Sequence, residues 1–211
     1  MLSKKKISAV LEIFKKQYHH TTTALRFASP FQLLISTMLS AQSTDKQVNK
    51  VTHALFKTYP DARSFVTLSP PELEAEIKSI GLYRSKARNI LAACKQLLEK
   101  YQGNIPLSRE LLIRLPGVGR KTANVVLSIA TDFAAIAVDT HVFRVANRIG
   151  LADAKDVYTT ELQLMQNIPE KDWSQAHHWL IWHGRKICKA RQPACTDCPI
   201  SPFCLYLKNI S

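Results

Sequence analysis

The segment "LLIRLPGVGRKTANVVL", Leu111 to Leu127, limits the possible folds more than any other. Leu112 and Leu115 close one apolar helical face, and Ala123, Val126 and Leu127 lie on a second. Pro116 stops the first helix, and Gly117 and Gly119 are expected to supply positive φ and to let the backbone approach a ligand closely. Val118 is expected to tuck between the two helices. The result is a helix, a tight turn and a helix whose first N–H groups form a seat for an anion. A nucleotide-binding Walker loop is excluded. That loop needs glycine directly before its lysine and a buried strand ahead of it, whereas Arg120 precedes Lys121 and "ELLIRLP" reads as a helix. A helical hairpin of this kind can hold a phosphate without reading a base.

Helical signals dominate the rest. Ile7, Val10, Leu11, Phe14 and Tyr18 share one face of an N-terminal amphipathic helix. In "LSPPELEAEIKSIGL", Ser69 suits the N-cap, Pro70 the first position, Glu72 the capping box and Gly81 the close. Ala87, Ile90, Leu91, Cys94, Leu97, Leu98 and Tyr101 form a further apolar face, stopped by Gly103. Helices are also expected after Ser108, over 122–129, from Asp139 or Thr140 to Gly150, and across "SQAHHWLIWHGRKIC". With 6 glycines in 211 residues and no Asn-Gly or Asp-Gly hairpin, strand signals are poor, and the expected class is all-α. No run approaches the roughly 18 apolar residues of a membrane span.

Lys plus Arg number 29 against 16 Asp plus Glu, a net charge of +13. Such a surplus favours a polyanionic partner, since each phosphate neutralised releases a condensed counterion. A basic soluble protein or one that binds acidic lipid is the alternative on charge alone. No export signal is read at the N-terminus, so a reducing cytoplasm is the expected setting and the cysteines need a role other than disulfides.

Two residues carry candidate chemistry. Lys121 follows the glycines where the second helix begins; a phosphate contact is its plain role. Its sharper role is nucleophilic: a neutral amine can attack a sugar carbon and form a Schiff base, and Arg120 and a helix N-terminus both favour loss of its proton. In "AVDTHVFRV", Asp139 stands at a helix entrance, where it can cap the helix, stabilise positive charge on a sugar, or do both.

The cysteine spacing is Cys188-x6-Cys195-x2-Cys198-x5-Cys204. Four thiols this close point to metal, with an iron–sulfur cluster and zinc both open on spacing alone. Arg185, Lys186, Lys189 and Arg191 surround the first of them, as DNA contacts or as solvated charge. Cys94, on an apolar helical face, reads as a buried free thiol.

"LPGVGRKTANVVL" followed by "AVDTHVFRVANRIGL" resembles the endonuclease III family of DNA glycosylases, and "LLISTMLSAQSTDKQVNK", "IGLYRSKARNI" and the cysteine tail extend the resemblance along essentially the whole chain. The resemblance implies a two-lobed helix-hairpin-helix glycosylase fold. One lobe would span 22–133; the other would join 1–21 to 134–211 and carry a C-terminal loop with a [4Fe–4S] cluster on Cys188, Cys195, Cys198 and Cys204. It implies that Lys121 is the nucleophile and Asp139 its acidic partner. Gln42 and Leu82 become the wedge and plug that fill the gap left by a flipped base. His141 lies near the lesion pocket, and Gly117, Val118, Gly119 and Arg120 contact the DNA backbone. The implied partner is duplex DNA carrying damaged pyrimidines or abasic sites, bound by a monomer at the nucleoid. The presence of the lysine favours a bifunctional glycosylase and β-elimination lyase. A monofunctional mismatch glycosylase and a non-catalytic DNA-binding protein with a structural metal are the alternatives.

Overall fold

The computed structural model describes residues 1–131 and 133–210, and among them every regular element is a helix. The chain divides into two compact units, Ala24–Phe133 and Met1–Thr23 with Ala134–Ser211.

The continuous unit is built round α2 (Pro30–Ser40). Phe31 and every residue from Leu33 to Leu39 are buried, so this helix is covered on all sides, as a mainly apolar sequence demands. Pro30 sits at its first position, and Ser29 Oγ accepts from the Gln32 N–H at 3.2 Å. The helices α3 (Asp45–Thr58), α6 (Tyr83–Tyr101) and α8 (Arg120–Ala130) pack against α2. Three shorter helices, α4 (Ala62–Phe65), α5 (Pro70–Ile77) and α7 (Arg109–Ile113), complete the unit. The Glu72 carboxylate accepts from the Ser69 N–H at 2.7 Å and from its hydroxyl at 2.6 Å, which holds the Glu72 acid below its ordinary range. The expected role of Gly81 is corrected: α5 ends at Ile77, and the left-handed residue at this corner is Leu82, with φ 60°. Gly81 is required for space instead, because a Cβ there would lie 3.0 Å from the Gln42 carbonyl oxygen. Cys94 is fully buried and free, and burial pushes its thiol up to about 12.

The second unit joins the two ends of the chain. It holds α1 (Lys4–Tyr18), α9 (Thr140–Ile149), α10 (Val157–Asn167), a 3₁₀ turn (Glu170–Asp172), α11 (Trp173–Lys186) and α12 (Leu205–Ile210). The five apolar residues expected on one face of α1 are all buried. They meet α11, which also packs along α9. The Leu2 N–H donates to the Gly150 carbonyl at 2.8 Å, and Lys15 pairs with Asp172 at 3.0 Å. No helix among the described residues is long and apolar enough to cross a membrane.

Candidate functional site

The turn between α7 and α8 departs from its expected geometry at one glycine. Gly117 has φ +75°, and a Cβ there would strike Asn89 Cβ at 2.8 Å and Met38 Cε at 3.1 Å, so glycine is needed on two counts. Gly119 does not take positive φ: it is the extended N-cap of α8, at φ −91°, and an added Cβ would meet nothing within 4 Å. Its surroundings within the chain therefore do not require glycine. Val118 is buried in the core of this unit, as its position between two helices predicts. Arg120 and Lys121 are the first two residues of α8, both partly buried. We predict that Gly119→Ala leaves thermal unfolding unchanged and weakens duplex DNA binding about fivefold, because the methyl group occupies the space a backbone phosphate would approach. Tm and equilibrium binding on the same preparation check both halves.

Gln42 and Leu82 are both exposed, in a second turn cluster of this unit. Both have left-handed backbones, φ 54° and 60°, and the Leu82 side chain is 57% exposed. A left-handed backbone is costly for each of these residue types, and a large apolar side chain left in solvent has no packing to offset it.

In the other unit the buried run Ala135–Val138 delivers Asp139 to the start of α9. The carboxylate is partly buried, and its Oδ1 accepts from the Val142 N–H at 2.8 Å, so it caps the helix and is held in place by doing so. His141 lies on the first turn. Burial pushes its imidazole below the ordinary range against the opposing pull of Asp139, and the positive Arg144 and Arg185 act in the same direction as burial. Arg144 Nη2 stands 3.2 Å from His141 Nδ1. A guanidinium can only donate, which makes Nδ1 the acceptor and assigns the imidazole proton to Nε2.

Arg144 and Arg148 of α9 then reach the cysteine loop. Arg144 donates to the Gly184 carbonyl at 3.0 Å and to the Cys188 carbonyl at 3.1 Å. Arg148 donates to the carbonyls of Lys189 and Ala190 at 2.7 and 3.0 Å and lies 3.7 Å from Cys188 Sγ. One helix thus holds both the Asp139 carboxylate and the backbone of the cysteine loop. The loop itself is a chain of turns, with the Cys198 N–H donating to Cys195 at 3.3 Å and the Cys204 N–H to Ser201 at 3.2 Å. All four of its cysteines are free thiols. Burial pushes the thiols of Cys198 and Cys204 up, and the neighbouring cysteines of the loop push the same way. His183, fully buried, accepts or donates at Tyr18 Oη through Nδ1 at 3.0 Å and places Nε2 3.7 Å from Cys198 Sγ. Among the described residues, no three His, Cys, Asp or Glu side chains stand close enough together for a single metal ion.

Arg185, Lys186, Lys189 and Arg191 are all exposed, and Arg185 and Lys186 lie 5.7 and 5.2 Å from the ring of Trp182. The structure gathers these four cations, the four cysteines, Asp139 and His141 in one unit, and Gln42, Leu82, the 117–119 turn and Lys121 in the other. Sequence reasoning missed Arg144, Arg148, His183 and Lys86. The two arginines left one signal, their spacing of four residues on a helix with no acid to pair them.

A model of the HhH-GPD superfamily of base excision DNA repair proteins matches residues 35–170. Endonuclease III of Rickettsia felis is 50% identical over 203 residues, which cover 96% of this chain and 95% of that protein. A solved structure of a trapped endonuclease III–DNA covalent intermediate, with an estranged adenine, superposes with a TM-score of 0.96 at 46% identity, covering 100% of this chain and 99% of the other. A non-covalent endonuclease III–DNA complex gives 0.95 at the same identity and coverage. With relatives this similar along its whole length, the chain belongs to the endonuclease III family of the HhH-GPD superfamily.

Proposed function

We propose that this protein excises oxidised pyrimidines from duplex DNA and then cuts the strand by β-elimination. The observation that carries the reading is its near-complete likeness to an endonuclease III caught as a covalent DNA intermediate, joined to a lysine in the first turn of α8. Likeness to bacterial endonuclease III supports a cytoplasmic setting for the activity, on the nucleoid.

A base inside a duplex is out of reach, so the damaged nucleotide is first extruded. Gln42 and Leu82 fill the vacated space: the amide can bond to the orphaned partner base, and the leucine stacks between base pairs. The 117–119 turn and the start of α8 receive a backbone phosphate. The Lys121 amine donates its electron pair to the sugar C1′, the C1′–N bond breaks, and the base leaves with that bond's electrons and takes up a proton. Asp139 stabilises the positive charge on the sugar. The sugar ring then opens to an iminium between Nζ and C1′, with O4′ taking a proton. Loss of a C2′ proton feeds electrons toward the iminium nitrogen and expels the 3′ phosphate with the C3′–O3′ bond. Water finally hydrolyses the imine and frees the lysine. Borohydride reduction of the imine tests the reading: it should link the protein covalently to damaged DNA, and a duplex cut only after added alkali would favour the monofunctional alternative.

Cys188, Cys195, Cys198 and Cys204 are the residues that would hold a [4Fe–4S] cluster. An all-thiol donor set suits it, and the cationic Arg148 and the imidazole of His183 lie beside two of the sulfurs. When bound, the cluster cross-links a loop that has few large apolar side chains of its own, and so presents Arg185, Lys186, Lys189 and Arg191 to the DNA. Cys198→Ser is predicted to lower iron from about four atoms per chain and to weaken duplex binding about tenfold. Metal and sulfide analysis with a binding titration check this; stoichiometric zinc without sulfide would overturn it.

A further inference from the structure

Lys86 lies buried beneath the Gln42–Leu82 corner, and nothing in the reaction above uses it. It sits in the first turn of α6, 7% exposed, and its ammonium points inward rather than toward solvent. Nζ donates to the Leu39 carbonyl at 2.8 Å and also to the Ala41 carbonyl. These carbonyls lie at the C-terminal end of α2, where the helix leaves acceptors without an internal partner and its dipole is negative. Two other acceptors there are engaged: Ser40 Oγ donates to the Thr37 carbonyl at 2.7 Å and the Ser43 N–H to the Ser40 carbonyl at 3.1 Å. Among the described residues, no acidic side chain pairs with Lys86. Burial alone pushes the ammonium down, and two backbone carbonyls are what hold it.

The residues on either side of this contact are Gln42 and Leu82. Gln42 follows Ala41 directly, and Leu82 is the left-handed N-cap of the helix that carries Lys86. Their turns are also joined directly. The Gly81 N–H donates to Ser43 Oγ at 3.2 Å, a Cβ on Gly81 would press on the Gln42 carbonyl at 3.0 Å, and Gln47 Nε2 donates to Ser79 Oγ at 2.7 Å. Two strained, exposed side chains therefore share one fastened base.

We propose that Lys86 is the positioning residue that locks Gln42 and Leu82 into a single two-pronged probe for opening duplex DNA. The proposal rests on the reading of Gln42 and Leu82 as the residues that enter the duplex. An intercalating pair separated by a flexible hinge would lose its entry geometry, and a displacement of about 1 Å can cost a hundredfold in rate. The fastener matters only when a stacked base must be displaced.

The test compares Lys86→Met, which keeps the stem and removes the three donors, with the unaltered protein on two substrates. One is a duplex with an oxidised pyrimidine and a neighbouring 2-aminopurine; the other is a single strand with a preformed abasic site. Lys86→Met should lower kcat/KM on the duplex about 10- to 100-fold and abolish the 2-aminopurine fluorescence rise. Borohydride trapping on the single strand should stay within about twofold. Gly81→Ala, which forces the same joint from the other side, should give the same split and carries the test if Lys86→Met fails to fold. Equal losses on both substrates, or an unchanged fluorescence rise, would overturn the proposal. If the unaltered protein traps neither substrate, the lyase reading fails, and the fluorescence comparison still decides the role of Lys86.

Discussion

Lys121→Ala is expected to abolish borohydride-dependent cross-linking to damaged duplex DNA and to reduce strand cutting by on the order of 10³-fold or more, about 4 kcal/mol of barrier. Alanine is the best helix former and Lys121 lies in the first turn of α8, so the fold should survive the change. Binding should fall far less than turnover, since one phosphate contact among many is lost. Lys86 is the useful contrast. It is a buried lysine, and its amine is committed to two backbone carbonyls. Cross-linking that persists in Lys121→Ala and vanishes in Lys86→Met on single-stranded abasic DNA would reverse the assignment of the nucleophile.

Asp139→Asn is expected to slow base release by about 10² to 10⁴-fold while leaving the protein folded. Asp139 has two roles that this substitution separates. As an N-cap it accepts from the Val142 N–H, and asparagine caps a helix as well as aspartate does. The loss of its charge at the helix N-terminus costs less than about 1 kcal/mol. As the group that stabilises a positive sugar, however, it has no substitute in a neutral amide. Single-turnover base release and calorimetric unfolding on the same variant are the two measurements. A drop in Tm matching that of Asp139→Ala, with base release intact, would leave capping as its whole role.

Much of the fold could be read from the sequence because its determinants are local. Ser69 with Glu72, Ser108, Asp139 and Gly150 mark helix ends through neighbours three or four residues away, and each marks the end it was expected to mark. The apolar face of α1 is equally local. What escaped was set by distant partners. Gly81 looked like a helix stop, but its requirement comes from the Gln42 carbonyl 39 positions earlier in the chain. The left-handed backbone at Leu82 has no compositional signal, since leucine avoids it. Gly119 resembled Gly117 in sequence, yet only Gly117 faces Asn89 and Met38. Lys86, Arg144 and Arg148 all bind backbone carbonyls, and a carbonyl is present at every residue, so no side-chain pattern could name the partners of these contacts.

The unit that holds the cysteine loop takes its first helix from one end of the sequence and the rest from the other. On the ribosome, residues 24–133 can collapse as they emerge, because every contact within them is made by chain already synthesised. The face of α1 formed by Ile7, Val10, Leu11, Phe14 and Tyr18 has to wait until α11 is translated more than 150 residues later. During that interval it is an apolar stripe bordered by lysines that lacks its partner helix. The segment made first is therefore covered only after the central residues of the chain can already have folded.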